Sequence, residues 1–432
     1  MRINWALVSA LQLAAIAVFV GILLLDDGTR DALVARLASA TSQSPAGKTS
    51  VKPDPASWRS AQELIESDHR FLDSLLRGQM ASAQPELEPA EFRHLIGVPK
   101  ECHGDPGVTV QLTPLADKPA SGVPLQAVLA EIHCEAAVLR AGGLLYLADG
   151  TQPSRGLLVA IHGTSSSPEQ IFGLETDEHF DADDYHHNFA LRAAKAGFSV
   201  YAPRIVTDPH LEPVSVFNKN RNELDRRAEA LGAKLVGMEV FAISKTVNEI
   251  RKLDDLKQKT GVYGISLGGM TAFYLAALDQ DIDAVVVSQW AEQRGPKLAS
   301  RDHKSAMWRY EQADYTIFRD YVTRLSDELV VRSLIAPRPL LYEVGSEDER
   351  SERVQPLFRQ LQSIYPPDAG ADNRLCLVVG PGGHEIFFDK AIRFLEYWLR
   401  ESGTSGAAAA GSAGVQTGDQ PSEASDFCSQ TG

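Results

Sequence analysis

Three short stretches of this 432-residue chain carry side chains suited to acyl transfer. The first is Gly264-Ile265-Ser266-Leu267-Gly268, which follows the short apolar run Val262-Tyr263 and precedes the helix-compatible segment Met270 to Leu278. A strand, a tight turn and a helix in that order hold a serine at a strained corner, and glycines two residues before and after it let strand and helix approach closely. The helix points its positive end and free N–H groups at the place where negative charge would develop. A serine hydroxyl is a weak nucleophile. It needs a base, an acid to orient that base, and donors for an oxyanion.

The other two stretches supply acid and base in the chain order serine, acid, histidine. Asp348 lies in Glu343-Val344-Gly345-Ser346-Glu347-Asp348, just past an apolar strand, where a Gly-x-x-Asp turn lets its carboxylate reach inward; Glu347 is the alternative. His384 lies in Gly380-Pro381-Gly382-Gly383-His384-Glu385, again past a strand. Its ring would take the Ser266 proton and return one to the leaving group, held in the correct tautomer by Asp348. The oxyanion donors expected are the backbone N–H groups of Leu267 and of Thr164, the latter in the loop His162-Gly163-Thr164-Ser165-Ser166-Ser167-Pro168. His162 reads as an orienting or packing residue rather than a base. Trp290, just after a strand, is the expected substrate-binding residue. The segment Asp177 to His187 is rich in Asp, Glu and His but lacks a Gly-hinged calcium loop or a His-Glu-x-x-His spacing, so it reads as a solvated acidic loop. No metal and no cofactor are expected.

These residues need a scaffold that brings strand ends together. Gly156 to Ile161 is a continuous apolar run, as suits a strand buried on both faces of a parallel sheet. Before it, Val108 to Ala148 contains strand-like runs, Gln126 to His133 and Ala137 to Tyr146, with turn residues between them. After it, strands at Phe198 to Ala202, Ala284 to Ser288, Pro339 to Val344 and Leu375 to Val379 alternate with helices near 184–196, 222–256, 351–364 and up to Leu399. Such alternation predicts an α/β fold, a mostly parallel sheet with helices on both faces. In an open sheet of this kind the site sits at the carboxyl ends of the strands.

The expected organisation is an N-terminal tail and anchor over 1–38, a linker over 39–56, an extension of helix and edge strands over 57–134, a catalytic domain over 135–401, and a disordered tail over 402–432. Trp5 to Leu25 is an uncharged, almost wholly apolar run, long enough to cross a bilayer as a helix. The nearest Ala-x-Ala, Ala38-Ser39-Ala40, lies well beyond it, which favours an uncleaved anchor with the catalytic domain on the extracytoplasmic side. A helix starting at a Ser60/Glu63 capping box is expected to pack its apolar side chains on the domain. Residues 291–334 exceed a simple crossover and read as a small helical cap. A net charge of −15 excludes a nucleic-acid partner. Cys102 and Cys134 either pair or stay as thiols, and Cys376 reads as a buried thiol.

Together Ile161-His162-Gly163-Thr164, Gly264-Ile265-Ser266-Leu267-Gly268, Ala336-Pro337-Arg338-Pro339-Leu340-Leu341 leading to Gly345 and Asp348, and Gly382-Gly383-His384-Glu385 resemble the α/β-hydrolase superfamily, in the branch of dienelactone hydrolases and acetyl xylan esterases. The resemblance covers roughly residues 135 to 400. It implies an eight-stranded sheet with the second strand antiparallel, and hydrolysis of a small-molecule or carbohydrate ester through an acyl-enzyme. Dienelactone hydrolases proper resemble this pattern with cysteine as nucleophile, where this chain has Ser266. Two rivals stand beside a membrane-anchored serine esterase. One is a peptidase of the prolyl oligopeptidase type, which shares such a core; the other is a catalytically silent anchored binding protein.

Overall fold

The computed structural model describes residues 61–80, 86–115, 122–135, 137–148, 154–164, 166–174, 184–206, 219–253, 259–291, 324–365, 374–400 and 428. The expected anchor and linker, most of the expected cap and most of the tail lie outside these residues. Among the described residues no helix is long and apolar enough to cross a membrane.

The chain divides into two units, Met1–His69 and Arg70–Gly432. Of the first, the described part is the start of helix α1 (Ala61–Met80). Within the second, Phe71, Leu72 and Leu75 of α1 are at least half exposed, which corrects the expectation that they pack on the domain. Helical spacing establishes an apolar stripe, not what covers it.

The second unit continues through α2 (Pro89–Leu95), β1 (Gly107–Pro114), β2 (Gln126–Cys134), β3 (Ala137–Tyr146), β4 (Leu157–Ile161), α3 (Pro168–Ile171), α4 (Phe189–Lys195) and β5 (Ser199–Pro203). Then come α5 (Lys219–Ala230), α6 (Leu235–Ile250), β6 (Thr260–Ile265), α7 (Leu267–Leu278), β7 (Ala284–Ser288), α8 (Asp327–Val330), β8 (Leu340–Gly345), α9 (Ser351–Gln362), β9 (Leu375–Gly380) and α10 (Asp389–Leu399). The helix expected over 222–256 is two helices, because Gly232 takes a φ of 77° that ends α5.

Among the described residues nine strands form one sheet in the order β1-β2-β3-β5-β4-β6-β7-β8-β9. β1, β2 and β3 pair antiparallel, as do β3 and β5, and every pairing from β5 through β4 to β9 is parallel. The expectation of eight strands is thus corrected to nine. The additional one is β1, which pairs along its whole length with β2 at the edge. Its half-exposed alternation is the pattern of an edge strand, against the fully buried runs of β4 to β8.

Alternate residues of the parallel strands feed two cores. Leu157, Val159 and Ile161 of β4 join a cluster with Phe241, Met270 and Phe358 from α6, α7 and α9. Leu158 and Ala160 join the opposite cluster with Phe189 and Phe394 from α4 and α10. Burying side chains on both faces demands continuous apolar strands. Glu343 in β8 breaks that rule: it is charged in type and only 2 % exposed. Cys102 is disulfide-bonded to Cys134, and Cys376 to Cys428. Cys376 is buried as expected, but it is half of a disulfide rather than a thiol.

Candidate active site

Ser266 stands between β6 and α7 with φ 57° and ψ −117°, a conformation that side chains other than glycine rarely adopt. Its N–H donates to the Ser288 carbonyl of β7 at 2.9 Å, and its own carbonyl accepts from Met270 N–H at 3.0 Å, so both sides of the strained residue are fixed. The flanking glycines are required by space: a Cβ on Gly264 would collide with the Gly268 carbonyl, and one on Gly268 with the carbonyls of Ile161 and His162. Leu267 opens α7, where an N–H has no acceptor within the helix.

Asp348 and His384 meet. Asp348 Oδ2 accepts from His384 Nδ1 at 2.6 Å, which leaves the Nε2 lone pair free to take a proton. The imidazole is 35 % exposed while the Asp348 side chain is 2 % exposed. The encounter follows from sheet register. Gly345 of β8 lies opposite Gly380 of β9, and beyond them Ser346 N–H donates to Gly380 O and Glu347 N–H to Gly382 O, each at 2.8 Å. Arg350 adds its backbone N–H to Asp348 Oδ1 at 2.8 Å and its guanidinium to both oxygens, at 3.0 and 3.1 Å. Burial alone would raise the Asp348 pKa, but the His384 hydrogen bond and the Arg350 charge outweigh it and hold the carboxyl well below its usual range. Glu347 places its backbone in the ladder just described.

The loop beyond β4 is held from three sides. His162 Nδ1 donates to Gly163 O at 2.9 Å and its Nε2 accepts from Ile205 N–H at 3.2 Å, an orienting and packing arrangement for a neutral ring. Burial pushes its pKa down to about 3. Gly163 N–H donates to His186 Nε2 at 2.8 Å, and His186 Nδ1 donates to Asp184 Oδ2 at 2.6 Å. Tyr185 gives its hydroxyl to the Thr164 carbonyl at 2.8 Å, its ring lies 5.8 Å from that of His384, and its own carbonyl accepts from Ile386 N–H. Residues 184–187 are therefore packed between the two loops, a correction to the solvated acidic loop expected there, of which residues 177–183 lie outside the described part. The signal was present in the pair Tyr185-His186, polar aromatic residues just ahead of an apolar helix.

Trp290 is 8 % exposed, with its ring 5.4 Å from Phe273 and 5.9 Å from Tyr274. The residue before it, Gln289, was not singled out from the sequence, yet it touches both loops of the Asp348–His384 pair. Below them, Glu343 Oε1 accepts from Tyr263 hydroxyl at 2.9 Å, Ser288 hydroxyl at 2.8 Å and Phe387 N–H at 3.2 Å. Burial raises the Glu343 pKa to about 7 in spite of those donors. A lone glutamate inside an apolar parallel strand was the cue in the sequence.

Compared with models of known protein families, the chain matches none. It is 26 % identical over 189 residues to "Putative hydrolase YtaP" of Bacillus subtilis (strain 168); the match takes in 42 % of this chain, which spans 60 % of the length of that relative. Among solved structures, "a putative acetyl xylan esterase" from Bacteroides fragilis NCTC 9343 superposes with TM-score 0.52 and 17 % identity, over 72 % of this chain and 81 % of that one. A glucuronoyl esterase from Solibacter usitatus gives TM-score 0.49 and 12 % identity over 72 % and 92 %. On its topology and the first of these structural likenesses, the chain has the α/β-hydrolase fold.

Proposed function

We propose that this protein is a serine esterase that cleaves a small-molecule or carbohydrate ester through an acyl-enzyme. One observation carries the reading: a hydrogen-bonded Asp348–His384 pair stands past β8 and β9 of the sheet whose β6 ends in the strained Ser266. In the proposed reaction His384 Nε2 takes the Ser266 proton as the hydroxyl oxygen bonds to the ester carbonyl carbon. The imidazolium keeps its Nδ1–H on Asp348. Leu267 and Thr164 N–H groups receive the oxyanion; the carbonyl of the peptide that carries the Thr164 N–H is held by His162 Nδ1, and the Thr164 carbonyl on its other side by Tyr185. Collapse breaks the carbon–alkoxy bond, and the alkoxide leaves with the proton from His384. Water then repeats the sequence to free the acid and restore Ser266.

The likeness to the putative acetyl xylan esterase structure supports an ester of this class. We place the catalytic domain at a membrane, outside the cytoplasm, on the strength of the apolar run Trp5 to Leu25 and of the Cys102–Cys134 and Cys376–Cys428 bonds, which persist in oxidising compartments. Full-length protein in detergent is to be assayed on p-nitrophenyl esters from acetate to laurate, on acetylated xylo-oligosaccharides and on peptide anilides. Turnover of esters is the expected result. Cleavage of the anilides without the esters would instead favour a peptidase.

A further inference from the structure

Gln289 follows β7 with φ 54°, in the left-handed region that a residue with a side chain rarely adopts. Its side chain is almost fully buried and makes three hydrogen bonds, none within its own loop. Oε1 accepts from Gly345 N–H at 3.2 Å, in the turn that leads to Asp348. Nε2 donates to Gly383 O at 3.2 Å and to Glu385 O at 2.7 Å, the residues on either side of His384. The backbone of Gln289 is anchored in turn, its N–H on Glu343 O at 2.8 Å, while Ser288 beside it accepts the Ser266 N–H and gives its hydroxyl to Glu343. One planar amide thus spans the acid loop and the histidine loop and is tied through Ser288 to the serine turn. Strain that persists at such a place is held by the surroundings and points to a role.

We infer that Gln289 is a positioning residue of the reaction, which sets His384 against Asp348 and Ser266 by clamping the Gly345 turn to the Gly383–Glu385 backbone. The inference rests on the esterase reading above. An amide is the fitting group because the clamp needs one acceptor and two donors in one plane, which no carboxylate or apolar side chain supplies. A shift of the histidine loop by about 1 Å costs on the order of 100-fold in rate.

The test uses full-length wild type, Gln289→Leu and Gln289→Glu, with p-nitrophenyl acetate as substrate and active sites counted by a fluorophosphonate run to completion. Gln289→Glu keeps the shape and the acceptor for Gly345 but faces two carbonyls with oxygen, so it serves where the leucine variant fails to fold. The expected result is a kcat per labelled site reduced about 100-fold, with KM within about threefold of wild type, in whichever variant is folded by circular dichroism. A role in folding alone would lower the number of labelled sites and leave kcat per site intact. That outcome, or kcat per site within twofold of wild type, overturns the inference while the esterase reading stands. Wild type that is folded, inert and unlabelled overturns the esterase reading, and this inference falls with it.

Discussion

Arg350 shares the carboxylate of Asp348 with His384: its Nη1 lies 3.0 and 3.1 Å from the two oxygens, one of which is 2.6 Å from the imidazole. The acid is therefore held ionised by two cationic or donating neighbours, and it can accept from Nδ1 at neutral pH. Asp348→Asn removes this. An amide that turns its NH2 toward the ring selects the wrong tautomer, and kcat is expected to fall about 10⁴-fold with the fold intact. Stopped assays over hours, with circular dichroism as the control, measure it. Loss of less than tenfold would assign the orienting role elsewhere, with Glu347 the first residue to test.

Gly268→Ala should damage the serine turn and the neighbouring loop at once. The new methyl meets the Ile161 and His162 carbonyls, which are backbone and cannot swing aside. Overpacking of this kind costs typically 1–3 kcal/mol, and the displaced segment leads into Gly163 and Thr164. A lowered thermal midpoint together with a larger loss in kcat than in KM is expected.

Tyr185→Phe removes only the hydroxyl that holds Thr164 O. The ring still packs on His186, 3.9 Å between centroids, so stability should change by about 1 kcal/mol, the net worth of one hydrogen bond. If Thr164 supplies an oxyanion donor, kcat should fall several-fold with KM nearly unchanged. An unchanged kcat would show that the bond from Tyr185 to the Thr164 carbonyl does not position the oxyanion donor.

Stability should peak near neutral pH for a specific reason. Burial lowers the pKa of His162 to about 3 and also lowers that of His186, so both stay neutral in the fold where the unfolded chain protonates near 6.5. Their contribution is full above about 6.5 and drains as pH falls, at up to about 1.4 kcal/mol per pH unit for each ring. Glu343 acts in the opposite sense. Its pKa rises from 4.5 to about 7 on folding, so what it contributes is full below 4.5 and is lost as pH climbs through 7. Thermal midpoints measured from pH 4 to 8 should be less steep on the acid side in His162→Asn, and should lose part of their decline toward pH 7 in Glu343→Gln. Curves parallel to wild type would contradict these assignments.

Much of this architecture was legible because it is local. Continuous apolar runs marked β4 and β6 to β9, and Gly, Ser, Asp and His stood just beyond such runs in the order the fold demands. The ninth strand was less legible, since alternation at 108–114 marks an edge strand without stating how many strands precede the parallel set. The exposed stripe of α1 and the Cys376–Cys428 bond depend on what lies opposite, which periodicity does not encode. The support of the site was hidden for the same reason. Gln289, Tyr185 and His186 act on loops 20 to 200 residues away, roughly, and only the register of the sheet brings them there. Glu343 was the exception, a charge misplaced in a buried strand.

The most direct test of the central claim is a comparison of full-length wild type with Ser266→Ala, folded to the same extent, in p-nitrophenyl acetate hydrolysis and in covalent labelling by a fluorophosphonate. Turnover and a single labelled residue, Ser266 by peptide mass, are expected in wild type, and neither in the variant. Equal hydrolysis by both proteins, or label carried on another residue, would contradict the claim.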